Sequence, residues 1–237
     1  SVSQSYALKR GVKKAVEKIN ADVEKAKKSL GKIAPDVKFI VYNSAQEYLD
    51  ANKRFNAGDG AALLLYGNGK YEVHINPGIA NARTVAHEVF HILLDRAFGG
   101  NQEKIAKASI RMAESLRRSV DGGLKNYLEQ FISNYEQDGV AIMDEEYLSE
   151  MTGYLAESYS TMGDKAKSIV RTWIRRIADI VGLKGILPKI KTLKQKDIET
   201  LELLDALAAK IGLGEEVSVE DLEVFESDVS AKVFGNI

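Results

Sequence analysis

His87 and His91 stand four residues apart with Glu88 beside the first, in the run His87-Glu88-Val89-Phe90-His91. Four residues is close to one helical turn, so a helix here points both imidazoles from one face, where they can share a metal ion. That is a layout for metal-assisted hydrolysis. A lone helical histidine is more often packed or solvated than a ligand, yet two of the chain's three histidines fall in this pattern. The surroundings also predict a helix. Asn81 to Phe98 contains no Gly or Pro, follows Pro77-Gly78 and stops at Gly99-Gly100. Val85, Val89, Ile92, Leu93 and Ala97 recur at helical spacing, which leaves Thr84, His87 and His91 on another face.

Two histidines are one short of the three protein ligands that a catalytic zinc takes. The chain has no cysteine, so the third must be His, Asp or Glu. His74 precedes the motif on an expected strand, where a structural or substrate-facing role is the commoner one. The richer source is Asp144-Glu145-Glu146-Tyr147-Leu148-Ser149-Glu150, read as the acidic opening of a helix. Glu146 and Glu150 are one turn apart, so one can ligate while the other orients a histidine's free ring nitrogen. Glu146 is taken as the ligand and Glu150 as its supporting acid, with Glu145 or Glu150 as alternative ligands. Acids are ordinary in a first helical turn and acidic faces are usually solvated. Glu157 lies farther along the same face and serves as the solvated comparison. Ser149, Gly153 and Ala156 form an adjoining stripe of small residues that permits close approach by another helix.

The 237 residues are 45% hydrophobic and 28% charged, the composition of an ordinary globular chain, with a net charge of -1. No apolar run reaches the length of a membrane span, and Ser1 to Ser5 lacks the apolar core of a signal peptide. An intracellular protein is expected. Charge is unevenly placed: Asp164 to Lys196 carries ten Lys or Arg against two Asp, while Glu199 onward is mostly acidic. Opposite halves that attract each other are the plainer reading, and a nucleic-acid surface over 165 to 196 the less common one.

The elements that must position the motif follow in order. Val12, Val16, Ile19, Val23, Ala26 and Leu30 mark an amphipathic helix over 6 to 30 with a basic outer face, ended by Pro35. Asp36 to Tyr42 reads as a strand, and Ser44-Ala45-Gln46-Glu47 as a capping box starting a short helix toward Asn56. Ala61 to Tyr66 and Tyr71 to Asn76, joined by Gly67-Asn68-Gly69-Lys70, read as a hairpin. Beyond the motif, helices are predicted over 101 to 119, 124 to 137, 144 to 161 and 165 to 181, split by glycines. After the interruption at Gly185 and Pro188 a last helix covers Asp197 to Ile211, and the tail from Glu215 is weakly ordered or docked. The fold class is α+β: a small mixed sheet on the motif helix, then a helical half. Three parts are expected, 1–35, 36–163 with a helical insert at 101–138, and 164–237.

His87-Glu88-x-x-His91 followed by Glu146-x-x-x-Glu150 resembles the gluzincin branch of the zincin metallopeptidases. Val37 to Asn43 and Asn76 to Glu157 are similar to zincin-like metallopeptidase domains of phage and mobile-element polyvalent proteins. Glu145 to Glu150 is also similar to the acidic helix of antirestriction-type zincins. The resemblance spans residues 36 to 160, and it departs from the gluzincin pattern in having Glu150 in place of Asp and a long helical insert after His91. It implies a Zn²⁺-dependent endopeptidase holding zinc through His87, His91 and Glu146, with a peptide or protein substrate. Glu88 would be the general base, and Tyr154, Tyr159 or His74 the donor to the oxyanion. The strand Tyr71 to Asn76 is the edge expected to pair with an extended peptide. The other readings are a non-catalytic interaction or packaging protein with this fold, and a nucleic-acid-associated antirestriction protein.

Overall fold

The computed structural model describes residues 2–120, 122–174 and 195–233. It is mixed α+β, mostly helical with one three-stranded sheet. Helix α1 (Val2–Leu30) leads into β1 (Val37–Val41), α2 (Ala45–Ala51), and the hairpin β2 (Ala61–Gly67) and β3 (Lys70–Ile75). Six further helices are described: α3 (Ala82–Ala97), α4 (Gln102–Ser119), α5 (Gly122–Ile132), α6 (Val140–Met162), α7 (Lys165–Ile174) and α8 (Gln195–Leu213), with α9 (Val219–Val233) after them.

The strand order is β1-β3-β2, with β1 parallel to β3 and β2 antiparallel to it. This corrects one expectation. Tyr71 to Asn76 was expected at an edge, but β3 is central because the crossover through α2 returns the chain so that β1 lies along its other side. Alternation along β3 buries Tyr71, Val73 and Ile75 toward α3 and leaves Glu72 and His74 on the opposite face.

Helix α3 carries several β-branched residues with modest helix propensity, so its stability comes from packing. Val89, Phe90, Ile92 and Leu93 are fully buried, each contributing about 1.5–3 kcal/mol by removal from water. Asn81 caps its start: the Asn81 side chain accepts from Thr84 N, while the Thr84 hydroxyl accepts from Asn81 N. Helix α6 packs directly on α3, and at their closest approach glycine is required. A Cβ on Gly153 would fall 2.7 Å from the Arg83 carbonyl oxygen and 3.3 Å from His87 N. On α8, a Cβ on Gly212 would lie 2.3 Å from the Ala156 carbonyl oxygen. The small stripe of α6 therefore accepts two neighbours. One hydrophobic cluster runs from Ile19 of α1 to Val229 of α9.

Several boundaries differ from the sequence expectation. Helix α6 begins at Val140, so Asp144 is inside it rather than at its opening; Asp144 is buried against Arg117 at 2.6 Å. Helix α5 ends at Ile132 and a 3-10 turn spans Ser133–Asp138. Helix α2 stops at Ala51, well short of Asn56. Val12 sits on the expected apolar stripe of α1 but is exposed. The acidic tail is docked as α9, with Leu222, Phe225 and Val229 buried and the Phe225 ring edge-on to Phe90. Most of the basic stretch at 165 to 196, with Gly185 and Pro188, lies outside the described residues. No described helix is long and apolar enough to cross a membrane.

Candidate metal centre

His87 and His91 leave α3 on one face, and their Nε2 atoms are 3.1 Å apart. Helix α6 brings Glu146 to both: Oε2 is 2.8 Å from His87 Nε2, and Oε1 is 3.0 Å from His91 Nε2. One ligand atom from each of His87, His91 and Glu146 lies within 4.8 Å of the others. Two imidazole nitrogens and one carboxylate oxygen suit zinc, whereas Mg²⁺ and Ca²⁺ take oxygen donors. The donor chemistry fits a zinc ion.

The opposite ring nitrogens are also served. His91 Nδ1 meets Glu145 Oε1 at 2.8 Å, and His87 Nδ1 faces Glu150 Oε2 at 3.7 Å. A carboxylate on Nδ1 fixes the ring and raises the basicity of the nitrogen that faces the metal. Glu150, read from the sequence as the supporting acid, lies beyond direct hydrogen-bond length of His87 Nδ1. Glu145, weighed before as an alternative ligand, meets His91 on the ring nitrogen opposite the one that Glu146 meets. Residues 145 and 146 reach opposite sides of the same imidazole because consecutive helical residues diverge by about 100°.

Burial alone would lower the pKa of His87, but Glu146 and then Glu150 reverse this and lift it to about 10. His91 behaves alike, with Glu146 and Glu145 overcoming burial. Burial would raise the Glu146 carboxyl, and the two imidazoles instead hold it well below the ordinary range. Each imidazole thus faces carboxylates on both sides of its ring, and a metal ion would compete with the protons held between them.

Glu88 belongs to the same helical turn but faces a cleft of about 600 Å³ that also reaches His87, Glu150, Tyr127, Phe131 and Tyr135. Burial raises the Glu88 pKa, which the two imidazoles lower and Glu146 and Glu150 raise further. Asp59 and Gly60 form the rim leading into β2. Asp59 holds that rim by accepting from Tyr48 Oη at 3.1 Å and Asn56 N at 2.8 Å, while its carbonyl accepts from Asn76 Nδ2 at 3.0 Å.

Tyr135, which the sequence reading missed, lines this cleft on the 3-10 turn after α5. Burial pushes its phenol pKa up, and the charges of Glu146, Glu88, Glu150 and Asp59 add to that. It keeps its proton and is a hydrogen-bond donor. Tyr127, Phe131 and Tyr135 recur every four residues as an aromatic stripe, but nothing local in the sequence ties that stripe to the histidines.

The three expected donors are placed elsewhere. Tyr154 is not among the residues lining the cleft; its ring packs on the Arg83 guanidinium at 4.6 Å. The Tyr159 hydroxyl donates to Asp205 at 2.9 Å in the contact between α6 and α8. His74 lies on the far face of the sheet, with Nδ1 at 2.7 Å from Tyr42 Oη. Glu157 is no solvated comparison either, since it pairs with Arg83 at 3.0 Å. Comparison with family models, with curated proteins and with solved structures found no match.

Proposed function

We propose that this chain is a zinc-dependent peptidase that cleaves extended peptides laid in the cleft beside Glu88. The observation that carries this reading is the convergence of His87, His91 and Glu146 with a carboxylate on the far nitrogen of each imidazole. His87 Nε2, His91 Nε2 and a Glu146 oxygen would hold the ion. When bound, zinc supplies a Lewis acid that polarises a carbonyl and lets water ionise near neutral pH.

The chain's own groups do the rest. Glu88 is not one of the three clustered ligand residues, and it lines the cleft beside them. It takes the proton from the attacking water and delivers it to the departing amine nitrogen. Tyr135 donates a hydrogen bond to the oxyanion that develops on the former carbonyl oxygen and keeps its proton. Of the two edge strands, β1 and β2, it is β2 that reaches the cleft and can accept a peptide there. It starts at Ala61, on the wall of the cleft. Main-chain pairing along this edge holds a substrate extended, as in strand addition.

The test pairs elemental analysis with peptide hydrolysis. The metal-replete chain should carry about one zinc per molecule, as three ligands imply. Glu88→Gln should retain it while hydrolysis falls by about 10²-fold or more. A Glu88→Gln chain that cleaves as fast as the unchanged one removes Glu88 from this role. A chain that binds no zinc removes the reading altogether.

A further inference from the structure

The hairpin and α3 run side by side, and each end of the hairpin touches an end of that helix. At the start, a Cβ on Gly60 would meet Thr84 Cγ2 at 2.8 Å. At the turn, a Cβ on Gly69 would meet Arg96 Nη1 at 3.0 Å. The edge strand β2 therefore leads from the cleft at Glu88 to a second cavity of about 420 Å³ between the hairpin turn and the last turn of α3. Leu65, Gly67, Asn68, Asp95, Arg96 and Gln102 are among its walls.

Its charges are unequal in their commitments. Asp95 already accepts from the Tyr71 hydroxyl through Oδ2, and from Gln102 Nε2 at 3.5 Å through Oδ1. Arg96 is anchored by its Nε, which donates to the Ile33 carbonyl at 2.9 Å. Among the described residues no carboxylate forms an ion pair with it. The exposed guanidinium is thus held at the Ile33 carbonyl and shared with the Tyr71 hydroxyl, and as a five-donor group it keeps N–H for an outside acceptor. Arg suits this role because its planar fork matches a carboxylate bidentately.

We infer that this second cavity is a distal subsite taking an acidic side chain of a peptide paired along β2, with Arg96 as the selecting residue. The inference rests on the peptidase reading for the position of the cleaved bond. Arg96 lies five residues beyond His91 and nine beyond His87 on one helix. That is an axial distance of roughly 8–13 Å, which an extended peptide spans in about two to four residues. A peptide antiparallel to β2 runs from the hairpin toward the cleft, so the acidic residue precedes the cleaved bond.

Binding and cleavage test the two readings separately. Fluorescein-labelled octapeptides of Thr, Val and Ala, carrying one Glu, Gln or Lys at a central position, are titrated into the full-length Glu88→Gln chain and followed by anisotropy. The Glu peptide should bind about five-fold or more tighter than the Gln peptide, the worth of one charge-assisted contact at a partly open site. Arg96→Gln should erase that difference, and Arg96→Glu should turn the preference to the Lys peptide. An inverted preference cannot arise from misfolding. Equal affinity for the three peptides, absence of binding, or a Glu preference indifferent to Arg96 overturns the subsite. The chain retaining Glu88, loaded with zinc, is then given the same peptides and the products are weighed. Cleavage two to four residues after Glu supports both readings. Arg96-dependent binding with no cleavage keeps the subsite and defeats the peptidase, while cleavage with no Arg96 dependence does the reverse.

Discussion

Gly153 of α6 lies so close to Arg83 of α3 that a Cβ would stand 2.7 Å from the Arg83 carbonyl oxygen, with His87 N only 3.3 Å away. The helix carrying the carboxylates is held against the helix carrying the imidazoles at this point, one turn from Glu150. Gly153→Ala must push the two apart, because backbone cannot yield as a flexible side chain can. Denaturant unfolding should show a loss of about 1–3 kcal/mol, the range for overpacking, together with weaker zinc binding. Gly123→Ala is the comparison, since nothing lies within 4 Å of a Cβ there. It should be neutral or stabilising by up to about 1 kcal/mol. Equal effects of the two substitutions would remove the close contact from the argument.

The carboxylates should rank by their distance from the imidazoles. Glu146→Ala removes a ligand and should weaken zinc affinity the most. Glu145→Gln loosens the His91 ring that it meets at 2.8 Å, for which about 10–100-fold is the usual loss. Glu150→Gln, at 3.7 Å from His87, should lose less. Glu103, exposed on α4 beside Lys107, replaces Glu157 as the control. Zinc at 100 times its dissociation constant should stabilise the native chain by about 2.7 kcal/mol, and a chelator should reverse this. Isothermal titration of the four variants decides the order; a larger loss at Glu150 than at Glu145 overturns it.

How far these parts were legible in the sequence depended on the range of the forces that place them. The helix from Asn81 was readable because its cap, its apolar period and its Gly99-Gly100 stop are local signals. Glu146 and Glu150 were readable as one-turn neighbours, and Glu145 as an orienting acid was not, since which side of a ring a carboxylate reaches is set by how α6 crosses α3. The small stripe at Gly153 hinted at that crossing without naming its partner. The order of strands was not local at all. Ala61 to Ile75 reads as a hairpin in isolation, and only the parallel return of β1 makes β3 central. Phe225 shows the same limit in α9, where the acidic composition left both a loose and a docked tail open and only the contact with Phe90 decides for docking.

Tyr135 supplies a prediction about turnover. Replacing it by Phe removes one hydroxyl and keeps the ring that packs on Phe131 at 5.8 Å between centroids. Loss of a single oxyanion donor lowers kcat by about 10²-fold where it acts in the transition state. KM and zinc affinity should change little, since neither ground-state binding nor the ligands involve this hydroxyl. Tyr154→Phe, on the Arg83 guanidinium outside the cleft lining, should leave kcat near its starting value. Steady-state kinetics on the two variants would reassign the donor if Tyr154→Phe proved the slower.

Asp205 contributes its own pH dependence to the fold. Burial raises its pKa from 3.8 to about 6, against the lowering effects of the Tyr159 hydroxyl and then Arg171. The native state therefore holds this proton over a range in which the unfolded chain has lost it. Stability from this group is full below about pH 4, falls as pH rises from about 4 to 6, and stays low above. Asp205→Asn keeps an acceptor for the Tyr159 hydroxyl and removes the charge that burial disfavours. The variant should gain on the unchanged chain as pH rises through that window, by about 2 kcal/mol once both reach pH 7. Urea unfolding of both chains at pH 4 and pH 7, with chelator present to exclude metal, measures the difference. A stability difference that stays constant across the two pH values would show that Asp205 is already ionised in the native state at pH 4.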